Sequence, residues 1–506
     1  MKKLLKAALI VTIFSIITRA LGFAIKILLS RTLSPENLGE YQIVMSIFGL
    51  LLTMTCSGLP LIASRKVAYY SSCDKNAASS YTFSALSVAF TLSIIFSVGL
   101  YFFRNIIENI YSSSNIAKMV ILLIPGLIFS SIYSILRSAL WGRKRFFSIS
   151  FSEFFEQLIR IVCLVVLFNM NIPFLSLSEK AILSLSIACV FSSLLVIFDY
   201  FRYGGRFVAN KKVFLPVIKE SFPITIARSA SSLVQMLIAF IIPLRLMVFG
   251  FTKTQAMAEF GIVTGMALPL ITIPSTFISS IAVAIVPEMS SQTTNIDKQA
   301  PKNINVLKTN IYTAMRSTLV ICFLFVPVFL ALGLPIAQII FKNSRAGTYI
   351  TYGAILVAFM GINQITSSVL NAIGLEIKAL KNYICGALGL IFCIYFLPKY
   401  LGAMSLVVGM LILSLVAGGM SLHMLKARKL LDARFYSLSL KLIGISLFTS
   451  AITFLLFNLT KKITSLLVAT LICGITACSC YILLCICFSL VNVKMFFSSK
   501  KTTKTN

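Results

Sequence analysis

Apolar residues run through this chain in long blocks of about 20, separated by short polar stretches. A block of that length crosses a bilayer as a helix. Fourteen such blocks stand at roughly 8–30, 40–64, 81–103, 117–140, 147–168, 181–200, 221–244, 256–286, 311–333, 349–373, 380–398, 402–424, 437–457 and 463–491. They are apolar throughout, whereas the strands of a transmembrane barrel alternate polar and apolar positions over about ten residues. The pattern predicts an all-α polytopic membrane protein with about 14 transmembrane helices.

Five cations interrupt the blocks: Arg19, Lys26, Arg137, Arg160 and Arg228. In the first block Thr12, Ser15, Arg19, Gly22, Lys26 and Ser30 recur at steps of three and four, so they share one stripe of a helix. A charge at the bilayer centre costs from about 3 to over 10 kcal/mol, so it is kept where it faces protein or water and has something to bind. The seventh block repeats the pattern with Thr225, Arg228, Ser232 and Gln235.

Other polar stripes admit blander readings. Ser46, Gly49, Thr53, Cys56 and Pro60 share a face of the second block, and Asn363, Ser367 and Asn371, with Gln364 beside them, share one of the tenth. Small and hydroxyl residues at this spacing serve close helix packing as readily as a ligand. Glu153, Glu156, Gln157 and Arg160 open the fifth block, with Glu156 and Arg160 spaced to neutralise one another. That set reads as structural or as a cytoplasmic gate. Glu40 and Glu259 are further cavity or gate candidates.

Those two glutamates sit in an internal echo. Gly39-Glu40-Tyr41-Gln42-Ile43-Val44 opens the second block and Ala258-Glu259-Phe260-Gly261-Ile262-Val263 the eighth, each preceded by a block with an arginine, Arg19 or Arg228. Six spans separate the copies, so they have the same orientation, as in two parallel lobes related by an axis along the membrane normal. The expected organisation is an N-lobe of six helices (1–200), a cytoplasmic linker (201–220), a pseudo-symmetric six-helix C-lobe (221–424), two extra helices (425–491) and a basic cytoplasmic tail (492–506).

Composition agrees: 58% of 506 residues are hydrophobic and 12% charged, with a mean hydropathy of +0.97. The net charge of +31 is scattered through short loops rather than clustered on a solvated domain, which argues against a nucleic-acid partner. With the N-terminus inside, 29 cations fall in cytoplasmic segments and 11 in outer ones, so the positive-inside bias puts both termini in the cytoplasm. Lys2, Lys3 and Lys6 imitate a signal peptide, but Arg19 interrupts its apolar core and no small-residue cleavage site follows. An uncleaved first span is expected. Twelve Cys without a CxxC, and a single His, indicate neither a disulfide framework nor a zinc site.

Several stretches resemble a known family. Thr18-Arg19-Ala20-Leu21-Gly22-Phe23, Leu38-Gly39-Glu40-Tyr41-Gln42, and Ser57-Gly58-Leu59-Pro60 before Ser64-Arg65-Lys66-Val67-Ala68 look like the opening of the stage V sporulation protein B family of polysaccharide-biosynthesis membrane proteins. Glu156-Gln157-Leu158-Ile159-Arg160, Phe222-Pro223-Ile224-Thr225 and Thr264-Gly265-Met266-Ala267-Leu268-Pro269-Leu270 extend the likeness. The family belongs to the superfamily of multidrug, oligosaccharidyl-lipid and polysaccharide exporters, which includes the lipid II flippase. The resemblance implies fourteen helices in two lobes, alternating access, and translocation of a lipid-linked saccharide. It also gives Arg19 a place in the central cavity. Where the flippase has an Arg-Asp pair, here stand Ile25 and Lys26, so the cationic pattern differs.

The expected function is therefore a flippase for an undecaprenyl-pyrophosphate-linked glycan or peptidoglycan precursor. Arg19 and Arg228, with Lys26, would hold the pyrophosphate, because arginine's planar fork suits phosphate oxygens. The tail would lie along apolar helices such as 437–457 and 463–491. No cofactor is expected, though Na+, H+ or the membrane potential could couple; expected partners are the substrate, membrane lipids and envelope-biosynthesis proteins. One rival is a multidrug/cation antiporter, which needs a buried carboxylate; others are a membrane scaffold and an envelope transferase. The transferase lacks a catalytic constellation, since His423 stands alone and the longest soluble stretch, about 287–310, holds no room for a catalytic domain.

Overall fold

A computed structural model describes residues 2–71, 73–111, 113–292 and 304–490. The expected tail at 492–506, and 293–303 of the longest polar stretch, lie outside these residues. The protein is an all-α polytopic membrane protein, with 13 helical segments among the described residues long and apolar enough to cross a bilayer. They reproduce the hydropathy blocks except the fifth, whose 24-residue helix is broken up chemically by Glu153, Glu156 and Arg160.

The chain divides into two compact units, 1–261 and 262–506. The first contains α1 (Lys2–Thr32), α2 (Pro35–Cys56), α3 (Leu59–Tyr70), α4 (Lys75–Tyr111), α5 (Ser114–Gly142), α6 (Phe146–Asn169), α7 (Leu177–Arg202), α8 (Lys211–Val248) and α9 (Lys253–Gly261). The lobes expected at 1–200 and 221–424 follow a sequence repeat, whereas compactness groups α8 and α9 with the helices before them. The second unit opens with a π-helical turn, Ile262–Ala267, followed by α10 (Leu268–Ile271), α11 (Ile273–Gln292), α12 (Ile304–Phe341), α13 (Ser344–Ala372), α14 (Glu376–Phe396), α15 (Pro398–Leu401), α16 (Met404–Ala427), α17 (Arg434–Thr460) and α18 (Leu466–Cys487).

Local chemistry sets the ends of these helices. Ser34 caps α2 by accepting from the Asn37 amide at 3.2 Å, and Pro35 starts the first turn with a φ already suited to it. Ser176 and Glu179 cap α7 reciprocally, a capping box. Two expected spans are interrupted. The second breaks between α2 and α3 at Ser57-Gly58, because Pro60 lacks the amide that would continue the ladder. The eighth is divided into α9, the π turn, α10 and α11, with Pro269 and Pro274 removing donors just past the widened turn.

Within the first unit, α1 and α6 run side by side in the same direction: the Phe14 ring meets Phe147 and Phe154 edge-on, and Gly22 faces Gln157. Helix α2 is more enclosed, with Leu38, Ile43, Val44 and Ile47 buried. It meets α9 through two glycines of the sequence echo. A Cβ on Gly39 would stand 2.1 Å from the Met257 carbonyl oxygen, and one on Gly261 would stand 2.2 Å from that of Pro35. Only hydrogen fits there, so the echoed segments pack backbone to backbone. In the second unit Gly333 and Gly347 let α12 and α13 approach equally closely. Cys56, Cys189, Cys322, Cys393, Cys473 and Cys485 are buried free thiols that fill apolar space.

The glycine contacts predict a contrast that thermal unfolding in detergent can measure. Gly39→Ala forces the backbones apart and is expected to cost about 1–3 kcal/mol. Gly49→Ala, where nothing lies within 4 Å of the new methyl, is expected to gain about 0.5–1 kcal/mol from helix propensity.

Candidate functional site

The intramembrane charges of the first unit form two groups. One lies along α1, α5 and α6, with Tyr41 of α2. Glu153 accepts a hydrogen bond from the Arg137 guanidinium. Arg160 donates from Nη2 to the Tyr41 hydroxyl at 2.6 Å, and lies within electrostatic reach of both Glu156 and Lys26. Arg137 also reaches Glu156, and Tyr133 beside it shares a 3.3 Å hydrogen bond with Ser152. Lys26, Arg137 and Arg160 thus face Glu153 and Glu156, an excess of one positive charge.

The parallel course of α1 and α6 explains the grouping. Gly22 removes bulk where Gln157 comes closest, so Lys26, one turn further on, arrives beside Arg160, one turn along α6. Ile25 turns into the core instead, at 2% exposure. Arg19 is on the same stripe as Gly22 and Lys26, with its side chain exposed on the unit. The Nε atoms of Arg137 and Arg160 are buried without a hydrogen-bond partner. The protein thus leaves part of each guanidinium unsatisfied.

The second group lies where α8 crosses the break between α2 and α3. Arg228 donates from Nη1 to the Ser57 carbonyl at 3.0 Å and is otherwise exposed. Around it, the Thr53 and Ser232 hydroxyls pair at 2.8 Å, and the Gly58 amide donates to Thr225 Oγ1 at 3.2 Å. Gly58 has no room for a side chain, because its Cβ would stand 2.2 Å from the Ser221 carbonyl oxygen. The stripe of Thr225, Arg228 and Ser232 therefore fastens α8 to the broken span. Gln235, the next member of the stripe, is exposed.

The remaining candidates lie elsewhere. Glu40 is buried and accepts from Ser113 Oγ and, at 3.4 Å, from Asn115 Nδ2, which ties α2 to the start of α5. Glu259 is buried at 4% exposure in α9. In the second unit Gln364 donates to the Ser275 carbonyl at 3.1 Å and to Ser279 Oγ at 2.8 Å, joining α13 to α11. Asn363 packs beside Gly418 of α16. An apolar cavity of about 380 Å³ lies between α17 and α18, lined by Ile445, Phe448, Leu484 and Phe488 with Lys441 at its edge.

Sequence spacing put Glu156 and Arg160 together but missed the partners that α5 and α2 supply, Arg137 and Tyr41. Arg137 stood out only as a cation in an apolar block. Tyr41 carried no signal beyond its place in the echo.

Removing one member of a half-buried charge cluster leaves the others less well compensated. Glu156→Gln is accordingly expected to destabilise the protein by about 1–3 kcal/mol. The double variant Glu156→Gln/Arg160→Gln should recover about 0.5–3 kcal/mol of that loss as coupling energy, read from a double-mutant cycle of detergent unfolding.

The comparisons with known proteins bear on this architecture. Stage V sporulation protein B of Bacillus subtilis (strain 168) is 27% identical over 436 residues, which cover 81% of this chain and 82% of that protein. The lipid II flippase MurJ in an inward closed conformation superposes with a TM-score of 0.73 at 15% identity, covering 97% of this chain and 99% of the flippase. A multidrug resistance MATE family transporter of the MOP superfamily, inward-facing, gives 0.65 at 17% identity, covering 83% of this chain and 95% of the transporter. These two structures share the fold of this chain. The sequence profile described as "Polysaccharide biosynthesis protein" matches residues 4–293, more than half of the chain, and the protein belongs to that family.

Proposed function

We propose that the protein is a flippase that moves an undecaprenyl-pyrophosphate-linked saccharide from the inner to the outer leaflet of a bacterial cytoplasmic membrane. The observation that carries this reading is the excess of intramembrane cations in the first unit. Lys26, Arg137 and Arg160 outnumber the neighbouring Glu153 and Glu156 by one, and the exposed Arg228 adds a positive charge on α8. An anion with several oxygens, on a lipid, is the ligand such a cluster suits.

Arg19 and Arg228, with Lys26 in support, hold the pyrophosphate in this reading. Among the described residues Arg228 spends one of its five N–H donors on the Ser57 carbonyl, so its fork retains donors for a ligand. The saccharide occupies water, and the polyprenyl tail follows apolar surface such as the cavity between α17 and α18. Both termini lie in the cytoplasm. A membrane potential negative inside favours outward movement of an anion by about 2.3 kcal/mol per elementary charge per 100 mV, which supplies direction without a resident coupling ion. A place in sporulation or envelope synthesis follows the name of the Bacillus relative. The antiporter alternative would use a buried carboxylate, yet Glu40 is already engaged by Ser113 and Asn115.

Reconstitution in proteoliposomes with a fluorescent undecaprenyl-pyrophosphate sugar tests the reading. At matched insertion, Arg19→Ala and Arg228→Ala are each expected to lower the flipping rate at least tenfold, about 1.4 kcal/mol. Unimpaired flipping in both variants removes the arginines from the mechanism. Absence of flipping by the wild-type protein, with cation-dependent drug efflux in its place, replaces the flippase by the antiporter.

A further inference from the structure

Three interhelical junctions of the first unit converge on one cavity that the flippase reading leaves unused. The turn after α3, the turn between α5 and α6, and the turn after α7 enclose a cavity of about 310 Å³ lined by Ser71, Lys75, Arg143, Arg145, Tyr203 and Gly204. Its charged lining is entirely positive. Among the described residues, no carboxylate stands within ion-pair distance of Lys75, Arg143 or Arg145. The nearby Asp74 caps α4, accepting from the Asn76 and Ala77 amides at 2.9 and 3.0 Å. Asp199, near the end of α7, accepts from Ser148 Oγ.

The two arginines are anchored by the protein. Arg143 donates from Nη1 to the Tyr203 carbonyl at 2.8 Å, and its guanidinium lies 5.1 Å from the Tyr200 ring centroid. The Arg145 guanidinium lies 4.4 Å from the centroid of the Tyr203 ring. Between them, Lys144 adopts a left-handed backbone with φ of 59°. That reversal brings the residues on either side of it to the same cavity while Lys144 stays out of the lining. Partial burial, with the charge of Arg145 beside it, pulls the Arg143 guanidinium below its ordinary value. A negative partner would relieve both effects.

The level of the cavity along the helices narrows the choice of partner. Trp141, 48% exposed, and Phe147, 57% exposed, flank the α5–α6 turn, and tryptophan collects where hydrocarbon gives way to headgroups. Arginine forks stacked on tyrosine rings at that depth match the oxygens of a phosphate.

We infer that this cavity is a second anion site, separate from the α1–α6 charges, and that it binds the phosphate group of an anionic ligand. Its source is either the headgroup of an anionic phospholipid or a free phosphate compound. The inference concerns binding alone and stands whether or not the protein flips a lipid-linked saccharide.

The test uses the full chain, first in detergent titrated with inorganic pyrophosphate by calorimetry, then in nanodiscs of mixed phosphatidylglycerol and phosphatidylcholine. Native mass spectrometry of protein released from the nanodiscs counts retained phosphatidylglycerol. The test variant is Lys75→Gln/Arg145→Gln, which spares the structural bond of Arg143. The control is Lys461→Gln/Lys462→Gln, with the same loss of charge in the turn between α17 and α18. Unchanged thermal unfolding certifies that both variants fold. Losing two charge-assisted contacts should weaken binding about tenfold or more in the test variant and leave the control like wild type. Phosphatidylglycerol retention that the test variant loses, with pyrophosphate binding unchanged by it, identifies a lipid headgroup as the source, and pyrophosphate binding that the test variant loses identifies a free phosphate compound. Wild-type protein that binds neither probe overturns the inference, as does a test variant that binds as well as wild type.

Discussion

Charge placed among hydrocarbon must be matched by protein, by water or by a ligand, and that constraint organises the first unit. Arg160 is bracketed by Tyr41, Glu156 and Lys26, each on a helix that must hold its register for the cluster to exist. Arg137 and Glu153 add a link between α5 and α6. The cluster is partly satisfied, and that is its interest. A fully neutral set would fix the helices and do nothing more, whereas an excess of positive charge keeps open a role for an anion.

Helix contacts in this setting cannot draw on the hydrophobic effect as they do in water, because lipid tails are as apolar as leucine. Close backbone approach takes its place. Gly39 and Gly261 bring α2 against α9, and Gly58 brings the break after α2 against α8. The same break puts the Ser57 carbonyl within reach of Arg228. One interruption, set by Pro60, thereby supports a packing contact and the anchoring of a charge. At Arg228 a positive charge and a helix-to-helix bond are carried by one side chain.

The chain is a polytopic member of the polysaccharide biosynthesis protein family and shares its fold with the lipid II flippase MurJ, while any cargo depends on particular side chains. Multidrug transporters share that architecture. The pattern of charge is what favours the flippase reading over an antiporter: cations exceed the carboxylates beside them along α1, α5 and α6, and the buried Glu40 is engaged by Ser113 and Asn115. A cationic interior suits lipid phosphates; an acidic one suits cations.

The sequence by itself determined the helical class, nearly every span and the stripe of Arg19, Gly22 and Lys26, because bilayer thickness and helical periodicity act along the chain. It also exposed the echo around Glu40 and Glu259. Only the tertiary structure decided which residues meet. Arg137 lies on a different helix from Glu153, Tyr41 lies far in sequence from Arg160, and Gln364 finds its partners on α11. The basic cavity was illegible for the same reason: Lys75, Arg143, Arg145 and Tyr203 occupy three separate turns, each reading as an ordinary positive loop. Periodicity shows which residues share a helix face, but the pairing of faces follows from glycine contacts and helix breaks that bring distant segments together.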